Sequence, residues 1–215
     1  MARGIPFLIL LLAAGAYAGE PNTLTPEETA AGFRLLFDGR TLEGWSAPKD
    51  NWHVNDGALH LRHRGGSISY EREKLGQDFD LRFEWMLGPE GNSGVHYRGG
   101  QFEYQVLDNR SSKVKPSGRA GALYNIAGPE ADFTRPPMLW NEGRIECRGS
   151  RVRHWVNGEL TADVDLDSPA WADILEKERQ RRLKYLAPGP SREGFLALSD
   201  HTGTVWFRSI RLKAY

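Results

Sequence analysis

Acidic, basic and amide side chains recur at alternate positions between Asp80 and Asn109, in the stretch DLRFEWMLGPEGNSGVHYRGGQFEYQVLDN. Successive side chains of a β-strand point to opposite faces, so this pattern predicts three short strands, each with one apolar and one polar face. If the strands pair as a meander, the apolar face buries Phe83, Trp85, Tyr104 and Val106. The polar face then carries Glu84, His96, Arg98, Glu103 and Gln105. Such a face is either a binding or catalytic surface or the ordinary solvated side of an antiparallel sheet.

Short strands and tight turns predominate along the rest of the chain. Asn55-Asp56-Gly57 and Asn157-Gly158 are strong hairpin signals, because each is flanked by alternating apolar residues. Pro169 to Leu186 is instead charged and helical in composition. Thr25 followed by Glu28 has the spacing of a capping box and predicts one helical turn. The sequence therefore predicts an all-β jelly-roll sandwich of two antiparallel sheets, with one short charged helix.

The N-terminus and the composition narrow the class of protein. A basic start, a short apolar run and an A-x-A ending predict a cleavable signal peptide over residues 1–18, and hence export to the periplasm or beyond. Residues 19–31 form a lead-in and residues 32–215 a single domain, in which no stretch is apolar enough for a membrane span. With 28 basic and 28 acidic residues, the chain has no surplus charge for a nucleic-acid or anionic-membrane partner. The lone Cys147 is predicted to be a buried structural thiol rather than a reactive one.

Several sequence blocks occur in a characteristic order along the chain. They are GFRLLFDGRTLEGW, WHVNDGALHL, DFDLRFEW, GNSGVHYRG, FEYQVLDN, the Gly121–Tyr124 element, Trp140-Asn141, the VNG hairpin and LSDHTGTVWFRSIRLK. Together they resemble the DUF1080 family, also called the 3-keto-disaccharide hydrolase domain, over Gly32 to Leu212. The fold of that family is the concanavalin A-like lectin/glucanase sandwich. The chain departs from the family pattern at Ser199, where the family has Gln, and at Ser209, where it has Asn.

The resemblance implies cleavage of glycosides that have been oxidised to a ketone at C3. That carbonyl acidifies the C2 hydrogen, so a base can remove it and expel the C1 substituent by β-elimination, after which water adds to the enone. Such a site needs a base near C2, an acid for the leaving oxygen and donors to the enolate oxygen. The candidate proton movers are Glu103, His201 and Glu84, and Arg98 is the candidate enolate donor. The candidate substrate-binding residues are Gln105, Tyr124, Trp140, Asp108 and Asn92.

A divalent metal ion is an alternative electrophile for the same reaction. The residues of suitable type are His96, Glu103, Asp108 and His201. No tight His/Cys spacing marks a metal site, however, and the sequence implies no other cofactor.

Two other functions remain open at this stage. Glu103-Tyr-Gln105-Val-Leu-Asp108 is similar to the catalytic strand of retaining β-glucanases, in which two carboxylates about 5–5.5 Å apart supply nucleophile and acid. Residues five apart in a regular strand lie on opposite faces, so Asp108 could join Glu103 only across a bulge. The third possibility is a non-catalytic carbohydrate-binding module, because a fold does not by itself imply a function.

Overall fold

The computed structural model describes residues 20–47, 51–61, 66–111, 113–180, 193–199 and 201–215. The predicted signal peptide and the last part of the predicted helix, residues 181–186, lie outside the described residues. The two α-helices of the described part are α1 (Pro26–Ala30) and α2 (Pro169–Gln180), and Pro116–Gly118 forms a 3₁₀ turn. The strands are β1 (Arg34–Leu35), β2 (Trp45–Ser46), β3 (Trp52–Asn55), β4 (Ala58–Leu61), β5 (Ile68–Leu75), β6 (Phe79–Leu87), β7 (Asn92–Tyr97), β8 (Phe102–Leu107), β9 (Asn141–Arg148), β10 (Arg151–Val156), β11 (Glu159–Asp165), β12 (Gly194–Leu198) and β13 (Val205–Ala214).

The strands form two antiparallel sheets. The larger sheet has the order β11-β10-β9-β6-β13-β4-β3, with β1 paired to β13, and the smaller sheet has the order β2-β5-β12-β7-β8. Strands from opposite ends of the chain therefore lie side by side, as β1 and β13 do in the larger sheet. The prediction of a jelly-roll β-sandwich with two antiparallel sheets is confirmed. Within the described residues, no helix is long and apolar enough to cross a membrane.

The core lies between the two sheets and is rich in aromatic side chains. Phe83 of the larger sheet packs edge-on against Tyr104 of the smaller sheet, with ring centroids 5.2 Å apart. Trp85 and Val106 are buried in the same layer, so the predicted apolar face of this stretch is confirmed. Cys147 is also fully buried, and burial raises the pKa of its thiol to about 12. The thiol is therefore protonated at neutral pH and structural.

The predicted meander of β6, β7 and β8 is wrong in one respect. β7 pairs with β8 and β12, whereas β6 pairs with β13 and β9 in the other sheet. The connection between β6 and β7 crosses from one sheet to the other and is held by the carboxylate of Asp108, which accepts from the Glu90 N–H at 3.1 Å. Because of this crossing, the polar side chains of β6 and those of β8 lie on opposite outer surfaces of the sandwich.

Each of the two helices contacts one sheet through a side chain described below. In α1 the hydroxyl of Thr25 accepts from the Glu28 N–H, and the Glu28 carboxylate accepts from the Thr25 N–H, which confirms the predicted capping box. The same carboxylate pairs with Arg211 of β13 and so fixes the lead-in segment to the larger sheet. In α2 the buried Trp171 packs against Phe102, the first residue of β8, with ring centroids 5.9 Å apart.

Candidate active-site cleft

A cleft of about 400 Å³ lies at the outer surface of the smaller sheet. This volume is in the range of small-molecule binding pockets. The cleft is bordered by side chains of β7 and β8, by the turn between these strands, by the segment 124–126 and by His201. Its lining residues are Asn92, His96, Gly100, Gln101, Phe102, Glu103, Gln105, Tyr124, Asn125, Ile126 and His201.

Strand register and one bridge bring the central residues together. In the β7–β8 pair His96 lies directly opposite Glu103, so both side chains leave the sheet on the same face. His201 follows β12 and reaches the same place because its neighbour Thr202 is tied to Asn92 at the start of β7. The Asn92 N–H donates to the Thr202 carbonyl at 2.9 Å, and the Thr202 N–H donates back at 3.1 Å.

The three side chains form a compact cluster, which we call the His96–Glu103–His201 cluster. The Nε2 atoms of His96 and His201 each lie 3.9 Å from Oε1 of Glu103, which is too far for a hydrogen bond. The Glu103 side chain is 14% exposed, that of His96 24% and that of His201 49%. Glu103 thus lies at the base of the cleft and His201 at its mouth.

Burial changes the protonation of the two inner members of the cluster. Desolvation raises the pKa of Glu103 to about 7 and lowers the pKa of His96 to about 4, with the charge of His201 as a second cause. The His96 imidazole is therefore uncharged near neutral pH, so its approach to Glu103 is not an ion pair. A carboxyl group with a pKa near 7 is well suited to both accept and release a proton at neutral pH.

A glycine on β7 makes room for the Glu103 carboxyl group. A Cβ atom at Gly94 would lie 2.2 Å from Oε1 of Glu103 and 2.9 Å from its Cδ. Any other residue at this position would displace the carboxyl group from the cluster. Asn92, Ser93 and Gly94 form the first half of β7. Ser93 is buried and donates to the Ser199 carbonyl at 2.7 Å, away from the cleft.

Three amide oxygens of residues that line the cleft have no hydrogen-bond partner among the residues that the structure describes. They are Oδ1 of Asn92, Oε1 of Gln101 and Oε1 of Gln105. Buried polar atoms are nearly always hydrogen-bonded, so these acceptors are available to water or to a ligand that offers donor groups, as sugar hydroxyls do. Tyr124 is exposed at the rim, where its ring could pack against a sugar. Gln101 was not among the predicted residues, because a turn glutamine carries no pattern that distinguishes it.

Two predicted site residues lie on the opposite outer surface of the sandwich. Glu84 accepts from Nε of Arg208 at 2.6 Å, and Trp140 stacks on the same guanidinium group at 3.9 Å from its ring centroid. Neither residue borders the cleft. The prediction that Glu84 shares a face with Glu103 is wrong, because β6 and β8 belong to different sheets.

Arg98 is also absent from the cleft, for a different reason. It follows the last residue of β7 and has a φ of +51°, so the alternation of the strand no longer sets its direction. Its side chain is fully buried, donates to the Gln77 carbonyl at 3.2 Å and lies near the ring of Phe102. The predicted enolate donor therefore does not reach the cleft.

Asp108 is a structural residue in this fold. It is buried, and its carboxylate accepts from the backbone N–H groups of Glu90 and Arg110 at 3.1 and 3.2 Å. It lies outside both the cleft and the His96–Glu103–His201 cluster. This placement removes Asp108 from the candidate metal ligands and removes the Glu103–Asp108 pair that a retaining glucanase mechanism would need.

The jelly-roll sandwich, with a cleft on its smaller sheet, places the protein in the class of concanavalin A-like sandwich proteins. Residues 32–213 match the family described as the 3-keto-alpha-glucoside-1,2-lyase-like domain, and the chain belongs to this family. It is 26% identical to the 3-keto-disaccharide hydrolase of Bacteroides thetaiotaomicron, over 91% of this chain and 83% of that protein.

Two solved structures show how far the similarity extends. A Parabacteroides distasonis protein that is provisionally named a glycosyl hydrolase superposes with a TM-score of 0.78 and 26% identity, over 91% of this chain and 100% of that chain. The carbohydrate-binding module CBM66 of Bacillus subtilis has a TM-score of 0.54 and 15% identity, over 80% of this chain and 96% of that chain. The second likeness is one of fold alone.

Proposed function

We propose that this protein cleaves 3-keto-glycosides by β-elimination and hydration, with Glu103 as the residue that moves the proton. Family membership and the named relative support a carbohydrate hydrolase. The observation that carries the proposal is the Glu103 carboxyl group, which lies at the base of a sugar-sized cleft with a pKa near 7.

The ketone is essential to this chemistry. The hydrogen on C2 of an ordinary glycoside is far too weakly acidic for a side-chain base, whereas a carbonyl at C3 delocalises the charge left on C2. Glu103 takes the C2 proton, the C2–H electrons form the C1–C2 double bond, and the bond from C1 to the leaving oxygen breaks. The leaving oxygen takes up a proton. Water then adds to C1 and a proton returns to C2, so the net reaction consumes one water molecule.

Glu103 can act in both halves of this sequence because its pKa lies near neutral pH. It accepts the proton from C2 and can return one to the leaving oxygen or to C2. His201, at the mouth of the cleft, is the other predicted proton mover, 3.9 Å from Glu103 Oε1. The unpartnered amide oxygens of Asn92, Gln101 and Gln105 would accept from the sugar hydroxyls.

The proposal is tested by incubating the protein with a 3-keto-glucoside and with the parent glucoside in deuterated water. We expect cleavage of the keto sugar alone, with deuterium at C2 of the released sugar above the level that unassisted exchange gives. Cleavage of the parent glucoside without deuterium at C2 would contradict elimination, because direct displacement at C1 leaves the C2–H bond intact. Binding of both sugars without turnover of either would indicate a carbohydrate-binding protein.

We also propose that the protein acts outside the cytoplasm, on the basis of the signal-like residues 1–18. Mass analysis of the mature protein should find a new N-terminus after Ala18. An intact Met1 in protein recovered from the native host would contradict this proposal.

A further inference from the structure

We infer that the outer surface of the larger sheet carries a second, non-catalytic site, which binds a sugar with a carboxylate group, a uronic acid. The site is a depression of about 270 Å³, close to the lower limit of small-molecule pockets. Three arginines and a tryptophan line it, namely Arg82, Arg144, Arg211 and Trp155. Because it lies on the side of the sandwich away from the cleft, the inference goes beyond the proposed function and does not rest on it.

Strand register sets these four side chains in one row across the sheet. Arg211 of β13 lies opposite Arg82 of β6, and Arg82 lies opposite Arg144 of β9. The next residue in the row is Trp155 of β10, opposite Arg144. Like charges directly opposite each other destabilise a sheet, so strand pairing alone does not favour three adjacent arginines. An anion bound between them would offset their repulsion.

Carboxylates with little exposure hold the arginines in place from one side of the row. Asp80 is 1% exposed and accepts two hydrogen bonds from Arg82, at 3.3 and 3.0 Å, and two from Arg144, at 3.0 and 2.9 Å. Glu28 accepts from Nε of Arg211 at 2.5 Å. The guanidinium groups are thus fixed before a ligand arrives, which lowers the entropic cost of binding.

Each of the three guanidinium groups keeps N–H groups available to a ligand. Nη1 of Arg144 and Nη2 of Arg211 make no hydrogen bond to the residues that the structure describes. Nη1 of Arg82 lies 3.8 Å from Glu28, which is too far for a hydrogen bond. A guanidinium group offers its donors in a planar fork that matches a carboxylate. The remaining donors of the row are therefore suited to the two oxygens of one carboxylate.

The ion pairs around the row leave a surplus of positive charge. They form one chain in which arginines and carboxylates alternate, in the order Arg211, Glu28, Arg82, Asp80, Arg144, Glu146, Arg153, Asp163 and Arg151. Five arginines and four carboxylates give this chain a net charge of +1. Glu142 is the one acidic side chain among the described lining residues, and it is exposed, so water and salt screen its charge. The balance favours an anionic over a neutral ligand.

Trp155 indicates that the anion is part of a sugar. Its ring lies 4.4 Å from Cζ of Arg144, and its carbonyl accepts from the buried Tyr104 hydroxyl at 3.0 Å, which ties this part of β10 to the core. An aromatic surface beside convergent polar groups suits a sugar ring, which has an apolar face and a polar edge. A uronic acid adds the carboxylate that the arginine row would bind.

Such a site would hold the protein on an acidic polysaccharide. The depression and the cleft lie on opposite outer surfaces, so a chain bound at the larger sheet would leave the cleft free for substrate. Binding at one surface raises the effective concentration of sugar at the other.

The test is equilibrium dialysis of the purified protein with a tetramer of galacturonic acid at low ionic strength. The same tetramer with its carboxylates methyl-esterified is the control ligand. We expect the acid to bind at least about tenfold more tightly than the ester, because hydrogen bonds between charged groups contribute more than neutral ones. Added salt should weaken the binding of the acid but not that of the ester.

Arg144→Gln should weaken binding of the acid by at least about tenfold, as truncation of a central anchor residue does. Arg151→Gln is the matched control, because it removes the same charge from the same chain of ion pairs but does not line the depression. It should change the affinity by less than about twofold, as an exposed ion pair contributes little. Trp155→Ala should also weaken binding of the acid, with partial recovery in Trp155→Phe, and provides a second test if Arg144→Gln does not fold.

Two results would overturn the inference. Equal binding of the acid and the ester would exclude recognition of the carboxylate. Equal weakening by Arg144→Gln and Arg151→Gln would show a general attraction of anions to the sheet rather than a site.

The variant Glu103→Gln separates this inference from the proposed function. It should abolish cleavage in the cleft and leave binding of the acidic tetramer unchanged. Loss of that binding in Glu103→Gln would place the tetramer in the cleft and refute a second site. Binding that depends on Arg144, in a protein that cleaves no keto sugar, would support the second site and refute only the proposed function.

Discussion

His96 and His154 are both buried in the sandwich, and burial shifts the pKa of both in the same direction, but their surroundings differ. Burial lowers the pKa of both His96 and His154 to about 4. His154 lies between the sheets, where its Nδ1–H donates to the Gly121 carbonyl at 3.2 Å and its Nε2 accepts from the Tyr97 hydroxyl at 2.8 Å. His96 lies at the cleft, and its Nε2 is 3.9 Å from Oε1 of Glu103, which is too far for a hydrogen bond.

The difference shows why a shifted pKa does not by itself identify a functional site. Both ring nitrogens of His154 have a partner inside the protein, so the pKa shift records the desolvation of a structural group. Around His96 the pKa shift coincides with acceptors that lack a partner among the described residues and with an open cleft, which water or a ligand can occupy. Substitutions should therefore reduce activity at the cleft and stability at His154.

The largest expected effect is that of Glu103→Gln. It should lower kcat/KM on the 3-keto substrate by at least about a hundredfold, because the amide cannot accept the C2 proton. The variant should also be more stable than wild type at pH 8. Folding raises the pKa of Glu103 from 4.5 to about 7. The protonated carboxyl group therefore makes its full contribution to stability below pH 4.5, and this contribution is lost as the pH rises through 7.

Initial rates and thermal melts check both parts of this prediction. Glu142→Gln, on the outer surface of the larger sheet, is the control with the same chemical change. A Glu103→Gln protein that turns over substrate at the wild-type rate would exclude Glu103 as the base.

Gly94→Ala should reduce kcat/KM by about ten- to a hundredfold, because the new methyl group displaces the Glu103 carboxyl group and small misplacements of reacting groups are costly. Stability should change little, since the group that must move is the end of a flexible side chain. Gly76→Ala is the control, because an added Cβ there meets no atom within 4 Å. Equal activity of the two variants would show that the position of the carboxyl group is unimportant.

His154→Phe should give the opposite result, a loss of about 1–3 kcal/mol in the free energy of unfolding with an unchanged kcat/KM per folded molecule. The phenyl ring leaves the buried Tyr97 hydroxyl without its partner. Denaturant titration at neutral pH measures the loss, with His53→Phe as the control.

The stability loss caused by His154→Phe should also depend on pH. The pKa of His154 is lowered from 6.5 to about 4 by folding, so its neutral form contributes stability above pH 6.5 that is lost as the pH falls through 4. The stability difference between wild type and His154→Phe should therefore shrink between pH 6.5 and 4. A constant difference over this range would mean that His154 is not buried as a neutral ring.

The smallest effect is expected for Glu84→Gln. The Glu84–Arg208 pair lies on the outer surface of the larger sheet, where loss of an ion pair changes stability by less than about 1 kcal/mol. Because the pair is on the side of the sandwich away from the cleft, kcat/KM should stay at the wild-type value. A large loss of activity would show that a second substrate surface exists near Trp140.

The local features of the fold could be predicted from the sequence. The alternation in β6 and β8 identified Phe83, Trp85, Tyr104 and Val106 as core residues, because parity along a strand depends only on adjacent residues. The Asn157-Gly158 turn identified the β10–β11 hairpin for the same reason. These features require no knowledge of which strand lies beside which.

The wrong predictions concern residues whose position depends on segments that are distant in sequence. Whether Glu84 joins Glu103 depends on the chain crossing between sheets after β6, and the short Gly/Pro-rich turn there is equally compatible with a hairpin. Arg98 was misplaced because its positive φ ends the strand alternation one residue earlier than the pattern indicates. His201 was chosen from the family resemblance, since its position in sequence is remote from Glu103.

The large sequence separation between the residues of the cleft has a consequence for the rate of folding. The cleft joins β7, β8, the segment 124–126 and His201, and a bond such as that from Ser93 to Ser199 spans 106 residues. Contacts between segments so far apart form late and slowly, because the entropy of closing the intervening loops must be overcome first. On refolding, the chain should thus complete its local hairpins, such as β10–β11, before the catalytic surface exists. Recovery of turnover would then be the slowest signal to return.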